Sequence, residues 1–552
     1  MFSAKQRAQQ IGHLSHHEFD VVVIGGGITG AGIALDAVSR GMSVALIDMQ
    51  DFAAGTSSRS TKLVHGGLRY LKNFQLKIVA EVGREREIVY ENGAHITEPK
   101  RMLLPFYQGG TLGPVFMNLG LRVYDVLANV KKAERRTMLS PYQTVSKEPL
   151  LKEPGLVGGG YYVEYRTDDA RLTLETMKKA AELGAVCLNY AKAEGFIYED
   201  GKVAGVQAVD LIDNLPMDIF AKKVVNATGP WIDEVQDYDA ETPEKKIRLT
   251  KGVHIVVDHK KFPLRQAVYF DTPDKRMVFA VPRDNKVYVG TTDDFYDDNP
   301  ISPAAEKKDV DYLIQAVGRT FPSIQLTPDD VEATWAGVRP LIYEEGKDPS
   351  DISRKDEIWL SENGLISIAG GKLTGYRKMA ETVVDLVVKK LRHETGIKYG
   401  DSVTKKLPLS GGDFGGSKNF AKFVHHMALR SQKYGLGPEQ GRMYAQFFGT
   451  NAEKVFWHYR NLPQNNPEGL PKTLVAVVEY AMDEEMARTP SDFFVRRTGD
   501  LYFHIDDVVR YREGVLDYMS RVLRYTPEQK EAYRQELQDE IEEATRFGRK
   551  AL

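Results

Sequence analysis

The residues Gly25-Gly26-Gly27-Ile28-Thr29-Gly30 have the G-x-G-x-x-G spacing, and Asp48 closes the next apolar run. That set of residue types can hold a dinucleotide. Gly25 allows a tight turn, Gly27 lets the main chain approach a pyrophosphate, and Gly30 lets a helix pack close to a strand. The N-terminus of that helix turns free N–H groups and positive partial charge towards the phosphates, and Asp48 is placed to accept bonds from ribose hydroxyls. Such a motif is weak evidence alone; the elements around it decide.

Those elements are legible. Asp20-Val21-Val22-Val23-Ile24 is a short β-branched run, as a buried parallel strand requires. Residues 31–38 read as a helix with small side chains towards the sheet, and 43–48 as a second strand, completing a βαβ unit. The alternation returns downstream: 203–209 reads as a sheet strand, 222–229 as a strand ending in a turn, and 365–369 as a strand whose Gly370-Gly371 leads into a helix near Thr374. Residues 253–257 and 277–281 have a more antiparallel character.

The pattern predicts two interleaved domains over 19–400: a nucleotide-binding part (about 19–75, 155–250 and 340–400) and a part forming a substrate floor (about 76–154 and 251–339). Gly411-Gly412 and Gly415-Gly416 then mark a join to an all-helical domain, 405–552. Residues 1–18 read as a polar tail, in which His13, His16 and His17 lack a rigid frame for a metal. Within 527–547, the run Asp539-Glu540-Ile541-Glu542-Glu543 reads as a solvated helix face.

Bulk composition narrows the partners. Lys+Arg 74 against Asp+Glu 77 leaves a net charge of -3, so no overall field favours nucleic acid or anionic lipid. The single cysteine, Cys187, excludes an intramolecular disulfide and a cysteine metal cluster, and its apolar neighbours predict a buried thiol. No signal-peptide core and no uncharged apolar stretch of about 18 residues occurs, so the expected location is cytoplasmic, with any membrane contact peripheral.

The glycine motif does not separate FAD from NAD. Residues 51–67 form a long polar segment after the second strand, able to run along an extended cofactor, and Ala227-Thr228-Gly229-Pro230-Trp231 and Gly370-Gly371 fall at the carboxyl edge of the same sheet. Together with Ser58-Arg-Ser-Thr-Lys-Leu-Val-His-Gly-Gly-Leu-Arg-Tyr, Lys251-Gly-Val-His, Gly290-Thr-Thr-Asp, Gly337-Val-Arg-Pro-Leu, Gly370-Gly-Lys-Leu-Thr-Gly-Tyr-Arg-Lys and Arg488-Thr-Pro-Ser-Asp-Phe-Phe, these segments resemble the FAD-dependent glycerol-3-phosphate dehydrogenase family from about residue 18 to 525. Asp48 departs from the Glu often found there, and its shorter arm still reaches a ribose.

The resemblance implies a glutathione-reductase-like and D-amino-acid-oxidase-like fold: an α/β FAD-binding Rossmann domain interleaved with an antiparallel-sheet substrate domain, plus the C-terminal helical domain. It implies FAD on Gly25, Gly27, Gly30, Asp48, Ser58, Thr61, Lys62, His65, Gly229, Gly371, Lys372, Leu373 and Thr374. By the same resemblance Arg69, Tyr70, Arg354 and Lys372 surround glycerol 3-phosphate, with His254 and Arg339 catalytic. The chemistry is coherent, since forked guanidinium donors suit a phosphate monoester. A histidine near its ordinary pKa of about 6.5 suits removal of the hydroxyl proton while hydride leaves carbon 2 for flavin N5, and Arg339 would steady the alkoxide. Read singly, Arg69 and Arg354 are ordinary surface ion-pair residues and His254 a satisfied sheet histidine; the motifs reverse that. His65 is expected to orient backbone near the flavin, a catalytic role being the lesser alternative.

The acceptor implied is a membrane quinone. Residues 112–136 combine an apolar, aromatic-bearing helix with Lys131, Lys132, Arg135 and Arg136, which fits either a helix lying in a membrane interface or a buried helix with a solvated basic end. An oxidase returning electrons to oxygen is the nearest rival, although such relatives often carry an insertion of some tens of residues that this chain lacks. An amino-acid oxidase and a non-catalytic nucleotide sensor are the more distant ones. The C-terminal domain is open to roles as dimer contact, membrane dock or active-site cap.

Overall fold

The computed structural model describes residues 2–65, 76–110, 134–239, 246–343 and 356–547. Its first sheet runs Glu357–Leu360, Ile366–Ala369, Leu215–Asn226, Phe19–Ile24, Val44–Ile47, Val186–Leu188, parallel except for the first strand. Both faces are covered, which is why these strands are continuous Val/Ile/Leu runs. The helix Ile28–Ser39 packs between Asp169–Glu182 and Tyr376–Thr395. An antiparallel meander, Ala191–Glu199, Lys202–Asp210 and Leu215–Asn226, extends the sheet, so the run at 203–209 pairs antiparallel.

The second sheet holds ten strands among the described residues, and its pairings are antiparallel apart from Ala267–Asp271 with Thr97–Tyr107. Ile247–Asp258 lies between Val331–Ile342 and Lys286–Gly290. One of its faces buries Val253, Ile255 and Val257 beneath the helix Lys307–Thr320. The opposite face carries Val256, Tyr288 and Trp335 against C-terminal helices. Leu156–Thr167 also belongs to this sheet, so the nucleotide-binding part resumes with Asp169–Glu182 and not at 155. Gly158-Gly159-Gly160 carries no alternation of apolar side chains by which that strand could be placed.

The polar N-terminal segment is folded. Arg7–His16 is a helix with Leu14 fully buried. The buried Arg7 guanidinium pairs with Asp210 and donates to Asn189 Oδ1 at 3.1 Å and to Asn189 O at 2.7 Å. Its partners lie far along the chain, where local pattern does not reach. The last helix, Pro527–Thr545, is a second departure: Leu537, Ile541 and Ala544 are buried, and Thr334 Oγ1 donates to Ala544 O at 3.2 Å. Glu536 and Glu543 therefore face inwards, where burial pushes their carboxyls up to about 8 and about 7.

The C-terminal helices are joined to the nucleotide-binding part through buried charge. Asp51 is 1% exposed and accepts from Arg496 Nε at 2.5 Å and from Arg497 Nη1 and Nη2 at 2.6 and 2.8 Å. Asp492 accepts from Arg496 Nη2 at 2.7 Å and Tyr190 Oη at 2.6 Å. Burial alone would push Asp51 up, but Arg497 and Arg496 outweigh it and hold the carboxylate far below its usual range. Asp51→Ala leaves two buried guanidinium groups without the carboxylate they share, at an expected cost of about 3–5 kcal/mol. Urea unfolding measures this, and an unchanged midpoint would refute the role.

Candidate active site

Ile24 lies in register with both Ile47 and Asn226, so the strands flanking it end at one level. The Gly25 turn, Asp48 and the Ala227–Gly229 turn emerge there together, and Gly370-Gly371 follows the neighbouring strand. They wall a cavity of about 1050 Å³ that continues across to the second sheet. Gly25, Gly27, Asp48, Gly229, His65, Gly371, Lys372, Leu373 and Thr374 all line it.

At the first end, the helix Ile28–Ser39 starts at Gly27, which offers no capping side chain; a bound anion meets that need. Asp48 Oδ2 accepts from Gly26 N at 2.6 Å and Oδ1 from Gln50 N at 2.8 Å, bracing the glycine turn. Burial still pushes its carboxyl up to about 7. Gly30 stands behind the wall, where a Cβ would lie 1.9 Å from Gly25 O, so it serves the helix–strand contact.

The segment after the second strand runs along the cavity, but not every residue expected to face it does so. Ser58 is buried away from the wall, and Ser57 lines it instead, its Oγ accepting from Ile28 N at 2.9 Å. Lys62, 3% exposed, turns inwards at φ +55° and gives its ammonium to Asp169 Oδ1 at 2.6 Å and Ser58 O at 2.9 Å. Asp169 Oδ2 also takes Ser60 N and Oγ, at 2.9 and 2.7 Å. Lys62 thus fixes the segment's own fold. Thr61, between these anchors, lines the cavity.

The far end is built by register. On Ile247–Asp258 and Val331–Ile342, His254 pairs with Trp335, Gly252 with Gly337 and Thr250 with Arg339, on one face by the period of two. The His254 ring stacks on Trp335 with centroids 4.7 Å apart and planes 10° apart. Gly252 leaves the notch that Arg339 fills, since a Cβ there would stand 2.2 Å from Nη2. Arg339 lines the cavity and donates to Asp293 Oδ1 and Thr291 Oγ1, each at 3.1 Å.

His254 differs from expectation in two ways. It is 1% exposed, and its Nε2 lies 3.1 Å from the Oγ1 of Thr61, a residue of the cavity wall. Burial first, then the charges of Arg339 and Lys62, hold its pKa well below 6.5, so the resting imidazole is neutral. Lys372 precedes a 3-10 turn, Leu373–Gly375, that leads into the helix Tyr376–Thr395, and Thr374 Oγ1 donates to His65 O at 3.2 Å. Arg69, Tyr70 and Arg354, and residues 112–133 of the segment expected to form a basic-ended helix, lie outside the described residues.

Thr291, Asp293 and Trp335 were not singled out from sequence. The signal for Trp335 was its place two residues before Gly337 and four before Arg339, on one face of a strand.

The FAD dependent oxidoreductase family matches residues 20–377, and the C-terminal domain of alpha-glycerophosphate oxidase matches 402–530. The chain is 56% identical over 544 residues to the aerobic glycerol-3-phosphate dehydrogenase of Staphylococcus saprophyticus, covering 98% of each. The structure of glycerol-3-phosphate dehydrogenase from Bacillus halodurans complexed with FAD superimposes with a TM-score of 0.86 at 46% identity, over 99% of each chain. The L-alpha-glycerophosphate oxidase of Mycoplasma pneumoniae, at 16% identity and a TM-score of 0.56 over 70% of this chain and 97% of its own, shares the fold.

Close packing around the histidine generates a prediction. A Cβ on Gly290 would lie 2.1 Å from His254 Cδ2, on the side of the ring away from Trp335, so Gly290→Ala must crowd the imidazole against the indole. Overpacking of this kind costs about 1–3 kcal/mol, visible as a lower thermal midpoint; an unchanged midpoint would mean the ring has room to move.

Proposed function

This chain belongs to the FAD-dependent aerobic glycerol-3-phosphate dehydrogenases, and we infer that it oxidises sn-glycerol 3-phosphate to dihydroxyacetone phosphate and passes the electrons to a membrane quinone. The observation that carries this reading is one cavity with a dinucleotide cradle at one end, Arg339 at the other and Lys372 in its wall.

The cradle suits FAD. Gly25, Gly27 and the remaining N–H groups of the helix start would hold the pyrophosphate, Asp48 the ribose hydroxyls, and the segment from Ser57 to His65 would follow the rest of the cofactor. Bound FAD supplies the two-electron acceptor for the hydride leaving carbon 2. The chain's own residues do the remainder. Lys372, with Arg69, Tyr70 and Arg354, would hold the phosphate. Arg339, fixed by Asp293 and Thr291, would steady the oxygen at carbon 2 as it loses its proton. His254, neutral at rest, would receive that proton.

Among the described residues no helix is long and apolar enough to cross a membrane. A quinone acceptor therefore calls for contact at the bilayer surface, for which the apolar and basic residues 112–136 are the candidate segment. We place the enzyme on the inner face of the cell membrane.

Glycerol 3-phosphate should bleach the flavin of the holoenzyme anaerobically, and a quinone analogue should restore the colour faster than air does. A flavin that stays yellow would refute the substrate; rapid reoxidation by oxygen with stoichiometric peroxide would favour the oxidase.

Asp48 gives a pH signature. Burial pushes its carboxyl up to about 7, while ribose hydroxyls donating to it favour the anion, so FAD binding releases a proton. Affinity should fall about tenfold between pH 8 and pH 6, and Asp48→Asn should flatten the dependence. Quenching of flavin fluorescence by apoprotein reads both; a pH-independent affinity in the parent would exclude this role.

A further inference from the structure

His254 is the base that the proposed chemistry needs, yet its ring is closed off from the cavity. One face is covered by Trp335, the ring is 1% exposed, and Nδ1 has no hydrogen-bond partner among the described residues. Among the described residues its one hydrogen bond joins Nε2 to Thr61 Oγ1, at 3.1 Å. Thr61 itself is half-buried, in the cavity wall. A hydroxyl can accept one proton while it donates another, so Thr61 has the chemistry to join the two.

We propose that the substrate's hydroxyl proton reaches His254 through Thr61: the C2 hydroxyl gives its proton to Thr61 Oγ1 as Thr61 gives its own to His254 Nε2. This rests on the function proposed above.

The 3.1 Å spacing is held from both sides by the same indole. Trp335 Nε1 donates to Ser60 O at 3.0 Å, immediately before Thr61, and the Lys62 ammonium, immediately after it, lies 5.4 Å from the Trp335 ring centroid. Asp169 binds Ser60 and Lys62 together. Trp335 therefore positions donor and acceptor at once, by stacking on His254 and by bracing the backbone that carries Thr61. Trp335 is a positioning residue in this scheme.

The balance closes. The C2–H bond breaks with its electron pair leaving to the flavin, the two-electron oxidant; the C2–O bond becomes a carbonyl; one proton enters the Thr61 hydroxyl and one leaves it, so threonine ends unchanged. The new imidazolium faces the cations Arg339 and Lys62 and the neutral Tyr288 ring, 6.5 Å away. The dianionic phosphate of the substrate offsets that repulsion while it is bound, and the proton returns by the same hydroxyl when product leaves.

The test is anaerobic stopped-flow reduction of the holoenzymes by glycerol 3-phosphate, with Thr61→Val and Thr61→Ser. Valine keeps the shape and removes the hydroxyl. The limiting rate of bleaching should fall on the order of 10²-fold in Thr61→Val, with substrate affinity within a few-fold of the parent's, and serine should restore most of the rate. A Thr61→Val enzyme that bleaches at the parental rate overturns the relay, as does a serine variant as slow as valine.

Two readouts do not depend on that variant's holding FAD. A proton inventory of the parent in mixed light and heavy water should curve, as two protons in flight require; a straight line overturns the proposal. In a crystal structure of the holoenzyme with dihydroxyacetone phosphate, the ketone oxygen should lie within hydrogen-bond distance of Thr61 Oγ1. A His254 ring swung round to touch it directly overturns the relay. Parental flavin left oxidised by glycerol 3-phosphate would instead overturn the function on which the relay stands.

Discussion

A carboxylate 1% exposed to water faces two guanidinium groups, and much of the molecule's assembly depends on that meeting. Asp51 stands three residues beyond Asp48, in the loop leaving the second strand. Arg496 and Arg497 stand in the C-terminal helices. Buried charges gain little net stability when paired and lose much when unpaired, so the contact acts chiefly as a specification. It admits one relative placement of the helical domain and the nucleotide cradle, and it extends to Tyr190 and Asn189 on the sheet's edge. The C-terminal domain is thereby anchored to the loop that leaves the second strand.

The same economy governs the catalytic end. The residues between Ser57 and His65 belong to neither sheet alone. Thr56 Oγ1 donates to Val338 O, and Trp335 donates to Ser60 O, tying the segment to Val331–Ile342, while Asp169 ties it to a helix of the parallel domain. The two domains are thus fixed to one another through a single segment. Charge follows that geometry: Lys62 is consumed in holding the segment, and burial, with the fields of Arg339 and Lys62 added to it, keeps His254 neutral.

The parts legible in the sequence were those whose physics is local. Val/Ile runs, a glycine turn and an acidic strand end identify a βαβ unit because each signal lies within a few residues of the next. His254 and Arg339 were reached through resemblance alone, since nothing in either strand marks a histidine or an arginine as different from any other. What escaped was set by long-range pairing. Trp335 opposite His254 is a matter of register between distant strands, and Arg7 meets Asp210 only after folding. The inward turn of Lys62 goes with its own φ of +55°, and Ser58 is buried within the 3-10 turn Thr56–Ser58, neither of which a polar run announces. The acidic run near the C-terminus looked solvated because the strand beneath it is far away in sequence.

The interleaving of the two sheets has a consequence for synthesis. Leu215–Asn226 lies near the centre of the parallel sheet, yet the strand that covers its open side is Ile366–Ala369. Translation at about 5–20 residues per second leaves that side uncovered for on the order of ten seconds. Non-local pairing of this kind is slow and exposes the chain to association with others. During that interval the nascent polypeptide leaves the Val225-Asn226 end of this strand without its second neighbour, an edge open to pairing with other chains. Holdase chaperones at the ribosome exit have their clearest substrate there, and a transcript truncated before Gly364 would encode a protein whose unfinished edge favours aggregation over solubility.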